Sequence, residues 1–121
     1  MDWVIGVDFG SDSARAVVVD TEDGHKIGEG ICDYPRWMKN QYCNPSKGMF
    51  RQHPQDYIEA LERSVGAALK AAGPKAGERI RAISVDTTGS TPCPVDENGT
   101  PLALLPECSD NPNAMFYLWK D

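Results

Sequence analysis

The sequence lacks the features that mark nucleic-acid-binding and membrane proteins. It holds 12 basic against 18 acidic residues, a net charge of −6, so the clustered positive charge expected of a nucleic-acid-binding surface is missing. No apolar run approaches the roughly 20 residues that a membrane-spanning helix needs. The first residues show no basic, apolar secretory signal. Together these absences favour a cytoplasmic protein with no nucleic-acid or membrane partner.

Metal-binding cysteine motifs are also missing. The four cysteines form no C-x-x-C pair, and the two histidines, His25 and His53, do not complete a zinc spacing. We therefore predict free thiols in a reducing compartment, and neither histidine has a sequence neighbour that makes it look catalytic. The cysteines are Cys32, Cys43, Cys93 and Cys108.

What is present is the composition of a globular domain. Hydrophobic residues make up 40% of the chain and charged residues 25%, which is ordinary for folded proteins. At 121 residues the chain is one domain or a piece of one. A chain of this length buries about 65% of its unfolded surface, enough for a hydrophobic core.

The most informative segment is residues 4–20, where two apolar runs flank a Gly/Ser turn. This pattern predicts a β-hairpin of two buried strands. The turn combines the Asp8 carboxylate, the small Gly10 and the hydroxyls of Ser11 and Ser13. Backbone N–H groups in such a turn bind anions, and a carboxylate beside them suits Mg²⁺ that bridges phosphates. The alternative is an ordinary hairpin with polar turn residues.

The chain after the hairpin alternates between strand and helix signals. A third strand is predicted over residues 26–34, and a long loop over 35–52. Apolar residues then follow helical spacing from Pro54 to the stop at Gly73-Pro74. A fourth strand, 80–86, ends on Asp86. Because a strand reached through a helix is normally parallel to its partner, Asp8 and Asp86 are expected at the same, ligand-binding edge.

The last third of the chain is less regular. Residues 87–92 are rich in hydroxyl groups and end at a proline. A short hairpin is predicted over residues 94–102, around the Asn98-Gly99 turn. A final apolar run covers residues 115–119, and we expect its face of Met115, Phe116, Leu118 and Trp119 to be exposed in this chain. We therefore predict an α/β protein with a mixed sheet, built from the hairpin, the third strand, the helix and the parallel fourth strand.

This order of elements resembles the ribonuclease-H-like, actin-like ATPase fold. Within that fold, Asp8-Phe9-Gly10-Ser11-Asp12-Ser13-Ala14-Arg15 resembles the start of the FGGY carbohydrate kinases. Four further segments resemble the ribulokinase branch of that family, so the likeness covers nearly the whole chain. They are residues 34–37, residues 50–54 with 56–59, residues 85–92, and residues 111–116 followed by 118–121.

The resemblance implies a function for a longer protein. Family members have two actin-like domains that close on a cleft, so residues 1–121 are expected to be the N-terminal part of the first domain, incomplete at its C-terminus. The implied reaction is ATP- and Mg²⁺-dependent phosphorylation of a ketopentose, foremost L-ribulose to L-ribulose 5-phosphate in L-arabinose catabolism. The full-length protein is a possible homodimer. The catalytic aspartate is expected beyond Asp121, so this chain alone is expected to be inactive.

Roles follow from the resemblance position by position. Asp8 would hold Mg²⁺, and Arg15 would neutralise charge near the γ-phosphate, its alternative being a solvated strand arginine. Asp86 would be a ligand of, or a support for, the turn after the fourth strand. The remaining phosphate-binding residues are expected in the turn: Gly10, Ser11, Asp12 and Ser13. The sugar-binding residues implied by the resemblance are Gly89, Ser90, Thr91, Trp119, Lys120 and Asp121.

Two details of the sugar pocket carry alternatives. Glycerol-type kinases of the family have Arg-Glu where this chain has Gly89-Ser90, which suggests a different sugar bound through backbone groups. Trp119 would pack on the sugar, or would instead be a core anchor.

Two rival functions share the fold. In a nuclease, Asp8 and Asp86 would hold two metal ions that cleave a phosphodiester, which the acidic balance disfavours. A non-enzymatic ATP switch of the actin or heat-shock type shares the D-x-G-[ST] motif. That switch does not explain residues 89–92 or the segment around Trp119.

Overall fold

The computed structural model describes residues 2–121, which divide into two compact units. The first unit holds residues 2–33 and 59–87, and the second holds residues 34–58 and 88–121. The described residues form seven strands and two α-helices. They are β1 (Trp3–Phe9), β2 (Ser13–Asp20), β3 (Lys26–Asp33), α1 (Pro35–Met38), β4 (Cys43–Asn44), β5 (Met49–Gln52), α2 (Pro54–Ala72), β6 (Ile80–Thr87) and β7 (Phe116–Tyr117).

The first unit is built on a four-stranded mixed sheet with the strand order β3-β2-β1-β6. Strands β1, β2 and β3 pair antiparallel, and β6 pairs parallel with β1. The helix between β3 and β6 allows this parallel return, because a hairpin turn cannot connect two parallel strands. The predicted α/β class with a mixed sheet is confirmed, and the predicted long helix is present as α2.

One face of this sheet packs on α2. Trp3, Ile5 and Val7 alternate with less buried residues along β1, as the two-residue period of a strand requires. On β2, Ala16 and Val18 are buried at the same two-residue spacing. Ala68 of α2 belongs to the same buried cluster. The core of the first unit therefore lies between the sheet and the helix, and the opposite face carries both apolar residues, such as Val17, and charged ones, such as Asp8.

Strand β3 approaches α2 unusually closely through two glycines. A Cβ added at Gly30 would lie 2.1 Å from the Ser64 carbonyl oxygen, and one at Gly28 would lie 2.4 Å from the Ala68 carbonyl oxygen. Both neighbours are helix backbone, which cannot rotate away as a side chain could. Only glycine therefore permits this distance between strand and helix.

The second unit contains a small sheet with the order β4-β5-β7. The prediction of a long loop over residues 35–52 is wrong, because this stretch holds α1, β4 and β5. These elements are only two to four residues long, too short to show a periodic pattern. Buried Asp56 accepts hydrogen bonds from the backbone N–H groups of Arg36 and Trp37 and from the Arg36 guanidinium. A distant carboxylate thus stabilises the start of α1.

The expected hairpin over residues 94–102 is reduced to one bridge. Val95 pairs with Pro101, and the Asp96 side chain accepts hydrogen bonds from the N–H groups of Asn98 and Thr100. No longer strand pairing forms in this stretch. The Asn98-Gly99 signal thus predicted the position of the turn correctly. A longer hydrogen-bonded strand pair does not form, because the prolines near both ends of the segment lack the N–H that it needs.

Strand β6 is the exposed edge of the first sheet. Ile83 and Val85 are 54% and 61% exposed, although they pair in register with buried Ile5 and Val7 of β1. We also expected an exposed apolar face at residues 115–119, and part of that expectation is wrong. Met115 and Leu118 are buried, and Met115 packs with Ala103 and Ala114 of the second unit.

We predict that the chain by itself associates through this exposed strand edge. Replacing Ile83 and Val85 together by threonine keeps the β-branched shape and removes apolar area. Dye binding and the concentration dependence of sedimentation should then fall, with the melting temperature nearly unchanged. Val95→Thr, an exposed valine in the other unit, is the matched control. A dye-silent, monomeric unsubstituted chain would contradict this prediction.

Candidate functional site

The first group of predicted site residues meets at one edge of the first sheet. In the strand register Asp8 of β1 lies between Arg15 of β2 and Asp86 of β6. All three residues are exposed, and they lie on the sheet face opposite α2. They line an open pocket of about 280 Å³. The juxtaposition of Asp8 and Asp86 expected from the parallel crossover is therefore present in the structure.

The turn between β1 and β2 is tight. The Gly10 N–H donates to the Ser13 carbonyl oxygen at 2.9 Å, so this N–H is used inside the turn. A Cβ at Gly10 would lie 3.3 Å from the same oxygen, which explains the small residue there. Ser11 and Asp12 form the tip of the turn, beyond the ends of the two strands.

Arg15 forms an ion pair that could not be predicted from the sequence. Its Nε lies 3.5 Å from a Glu29 carboxylate oxygen, and Lys26 contacts the other oxygen. The hydrogen bond from Lys26 holds the pKa of Glu29 below its usual value, so Glu29 is charged at neutral pH. Since the Arg15 side chain is 59% exposed, this ion pair leaves most of the guanidinium accessible.

The donors at this edge suit a hard divalent cation. Carboxylates such as Asp8 and Asp86 are oxygen ligands of the kind that Mg²⁺ prefers, usually with water completing the shell. Within residues 2–121, no group of three or more cysteine, histidine or acidic residues forms a ready-made metal cage. The residues therefore fit a metal ion held by few protein ligands, as is typical where phosphate oxygens supply the others.

The second group of predicted site residues lies in the second unit, beginning with the turn 88–91. The Thr88 and Thr91 hydroxyl oxygens lie 3.2 Å apart, and the Thr91 hydroxyl also donates to the Gly89 carbonyl oxygen. Ser90 has a φ of 53°, a left-handed conformation that side-chain-bearing residues rarely adopt. A strained, hydroxyl-rich turn of this kind is typical of a binding loop.

The side chains of residues 119–121 differ in their contacts. Trp119 is 58% exposed, so it does not anchor the described core of its unit. The Lys120 ammonium lies 4.6 Å from the centre of the Phe50 ring, a cation–π contact. The Asp121 carboxylate accepts hydrogen bonds from the Phe50 N–H at 2.8 Å and from Arg51 Nε at 2.7 Å. All three residues are exposed, but the charged groups of Lys120 and Asp121 are engaged in these contacts.

Arg51 organises this end of the second unit, and the sequence reading gave it no role. It is buried, it stacks at 3.7 Å on the Tyr117 ring, and it also donates to the Pro112 carbonyl and the Asn113 side chain. Its hydrogen bond holds the pKa of Asp121 below the usual value. The only sequence signal was a charged residue inside an apolar strand.

The cysteines and the buried histidine behave as predicted. All four cysteines are free thiols. His53 accepts the Gln55 N–H at Nδ1 and contacts the Ser109 carbonyl at Nε2, so both ring nitrogens have structural partners. Its place just before α2 makes it a cap for the helix start. These structural contacts account for the position of His53.

Comparison with solved structures supports a sugar-kinase fold. A structure described as a "xyloylose kinase" from Brucella ovis superposes with a TM-score of 0.71 and 21% sequence identity, covering 98% of this chain and 21% of that chain. A comparison with protein-family profiles gives no match. Between residues 2 and 121, no helix combines the length and apolarity needed to cross a membrane. The chain thus shares its fold with the corresponding part of the Brucella ovis structure.

The sequence comparisons point to one kind of carbohydrate kinase. The chain is 52% identical over 118 residues to a ribulokinase of Vibrio parahaemolyticus and 40% identical over 124 residues to one of Halalkalibacterium halodurans. Each alignment covers 98% of this chain, which spans only about a fifth of the length of these relatives. The resemblance to the ribulokinase branch of the carbohydrate kinases is therefore confirmed over nearly the whole chain.

Proposed function

We propose that this chain acts as part of a longer carbohydrate kinase that transfers phosphate from MgATP to a ketopentose, foremost L-ribulose. The observation that carries the proposal is the 52% identity to a ribulokinase over 98% of the chain. The mixed sheet and the helical crossover support the finer assignment to the ribonuclease-H-like, actin-like ATPase fold. In this proposal residues 1–121 are the N-terminal part of the first of two actin-like domains.

The first sheet edge is assigned to the phosphates. Asp8 holds the metal ion, and Asp86 supports the turn that follows β6. Arg15 approaches the terminal phosphate from the neighbouring strand, with Glu29 restraining its guanidinium. A divalent cation bound here supplies positive charge that offsets the phosphates in an otherwise acidic chain. The turn residues assigned to phosphate contacts are Gly10, Ser11, Asp12 and Ser13.

The second unit is assigned to the sugar. The turn Gly89, Ser90, Thr91 offers hydroxyl and backbone groups for the hydroxyls of the ketopentose, and the exposed Trp119 ring offers an apolar face for its carbon-bound hydrogens. Lys120 and Asp121 were predicted to bind the sugar directly. Their contacts with Phe50 and Arg51 favour a supporting role, in which they hold Trp119 in place.

The chain on its own is proposed to be inactive. Phosphoryl transfer to an alcohol needs a base that accepts the hydroxyl proton, and the resemblance assigns that base to a residue beyond Asp121. Losing a positioned base costs about 10²–10⁴ in rate. We further propose that the longer protein is a cytoplasmic homodimer, with ATP and the ketopentose as its ligands and neither nucleic acid nor membrane as a partner. The nuclease and ATP-switch alternatives are disfavoured because the matched relatives are sugar kinases.

The test uses a hybrid kinase, in which this chain replaces the matching fifth of the Vibrio parahaemolyticus ribulokinase. A coupled assay should show MgATP-dependent phosphorylation of L-ribulose, with lower kcat/KM for aldopentoses and glycerol. The native ribulokinase is the control for the assay, and the 121-residue chain alone is the control for background. Preference for glycerol or an aldose would contradict the ketopentose assignment and leave the kinase assignment standing.

We predict that Trp119→Ala in the hybrid kinase raises KM for the sugar more than KM for ATP. A buried aromatic face contributes about 1–3 kcal/mol, which corresponds to a roughly 5- to 150-fold rise in sugar KM with kcat largely retained. Because Trp119 is exposed, the melting temperature should hardly change. Trp37→Ala, a half-buried tryptophan of the same unit, is the control. An unchanged sugar KM with a large fall in melting temperature would assign Trp119 to packing.

A further inference from the structure

Residues 118–121 form a tight turn that carries Trp119 at its tip. The Asp121 N–H donates to the Leu118 carbonyl oxygen at 2.8 Å, and this hydrogen bond closes the turn. Trp119 and Lys120 are the two residues between these ends, and both are exposed. A four-residue turn with this hydrogen bond is a β-turn, so the direction of the Trp119 side chain depends on how the two ends are held.

Both ends of this turn are tied to one residue of strand β5. The Leu118 N–H donates to the Phe50 carbonyl oxygen at 3.0 Å. The Phe50 N–H in turn donates to the Asp121 carboxylate at 2.8 Å. The Lys120 ammonium lies 4.6 Å from the centre of the Phe50 ring. The backbone and the ring of Phe50 therefore contact three of the four residues of the turn, all except Trp119 itself.

The Arg51 side chain supplies the charged part of this attachment. Its Nε donates to the Asp121 carboxylate at 2.7 Å. Its guanidinium stacks at 3.7 Å on the Tyr117 ring. It also donates to the Pro112 carbonyl oxygen at 3.0 Å and to the Asn113 side-chain oxygen at 2.9 Å. Because the Arg51 side chain is only 9% exposed, its bond to Asp121 joins opposite charges with little competition from water.

We propose that Arg51 is a positioning residue that holds Trp119 in the place from which it packs on the sugar. This proposal rests on the proposed function, in which Trp119 contacts the ketopentose. Arg51 acts through Asp121 and the turn, and it touches no substrate itself. Lysine is a poor substitute, because an ammonium group lacks the planar fork that binds Asp121 and residues 112–113 at the same time.

The test begins with Arg51→Lys, which keeps the charge and removes the fork. Asp121→Asn breaks the same pair from its exposed partner, so it decides the test if Arg51→Lys does not fold. Arg79→Lys is the matched control, because Arg79 also stacks on a ring, that of Trp3 at 4.0 Å, in the first unit. In ¹⁵N-labelled chain, the first two variants should shift the Trp119 indole N–H signal and lower its heteronuclear NOE. The control should change neither.

Kinetics of the hybrid kinase test the link to the sugar. Arg51→Lys should raise sugar KM roughly three- to tenfold, the effect of one hydrogen bond, with kcat and ATP KM within about twofold. Added to Trp119→Ala, it should raise sugar KM no further, because two changes that act through one contact are not additive. A role in folding alone would instead lower the melting temperature and leave both KM values unchanged.

The outcomes separate this proposal from the proposed function. An unchanged Trp119 indole signal would overturn the positioning role. A changed signal with an unchanged sugar KM would overturn its link to the sugar. A further rise in sugar KM when Arg51→Lys is added to Trp119→Ala would overturn the route through Trp119 and favour direct contact of Asp121 with the sugar. A hybrid kinase that phosphorylates no ketopentose would overturn the proposed function, and the indole signal in the 121-residue chain would still decide whether Arg51 holds Trp119.

Discussion

Asp8→Asn in the hybrid kinase is expected to lower kcat by roughly 10²–10³-fold, the usual effect of removing one group that stabilises developing charge. The sugar KM should stay within about twofold, because a contact made only in the transition state affects kcat and not ground-state binding. The physical reason is that asparagine keeps the shape of the side chain and loses the charge that holds a metal ion. Steady-state kinetics with varied sugar, at saturating ATP and Mg²⁺, measures both kcat and the sugar KM.

The control for this variant is Asp23→Asn. Asp23 is an exposed carboxylate in the turn between β2 and β3, where it accepts the His25 N–H. This turn is not the β1–β2 turn, so the Asp23→Asn variant should leave kcat unchanged. Because Asp8 is itself exposed, its variant should fold normally, and an unchanged melting temperature excludes an effect through stability. A sugar KM that rises in parallel with the loss of rate would show that the metal assignment of Asp8 is wrong.

Gly30→Ala is expected to destabilise the chain by at least about 3 kcal/mol, the upper range for forcing an atom into a packed interior. The added Cβ would lie 2.1 Å from the Ser64 carbonyl oxygen, 2.7 Å from the Ala68 nitrogen and 2.8 Å from the Ala67 Cβ. Strand β3 and helix α2 must therefore separate. Urea unfolding followed by circular dichroism measures the loss, and a complete absence of a cooperative transition is its extreme form.

Gly66→Ala in the middle of α2 provides a control of opposite sign. A Cβ there meets nothing within 4 Å, and alanine favours the helix by about 0.5–1 kcal/mol over glycine. This variant should therefore be more stable than the unsubstituted chain. If Gly30→Ala unfolds at the same urea concentration as the unsubstituted chain, the close approach of β3 to α2 is incorrect.

Much of the first unit could be predicted because its signals are local and long. Strands β1 and β2, seven and eight residues long, are rich in apolar residues and flank a Gly/Ser turn, and the 19-residue α2 repeats its apolar residues at helical spacing. The rule that a helical crossover returns a parallel strand then placed Asp8 beside Asp86. The register confirms that placement, which came from topology and needed no knowledge of side-chain contacts.

The second unit could not be predicted because distant residues determine its short elements. Asp56 stabilises the start of α1 from 20 residues away, and Arg51 binds Asp121 from 70 residues away. Neither partner is visible in a local pattern. The same reason explains why the contacts of Lys120 with Phe50 and of Asp121 with Arg51 were not predicted. That Lys120 and Asp121 bind the sugar stays a prediction.

The most direct test of the central claim is phosphoryl transfer from γ-labelled ATP to L-ribulose by the hybrid kinase. The account predicts a labelled ketopentose phosphate whose formation requires Mg²⁺ and Asp8, and no product from the 121-residue chain alone. A folded hybrid kinase that binds ATP yet labels no ketopentose would contradict the account. So would a labelled product whose rate is unchanged by Asp8→Asn.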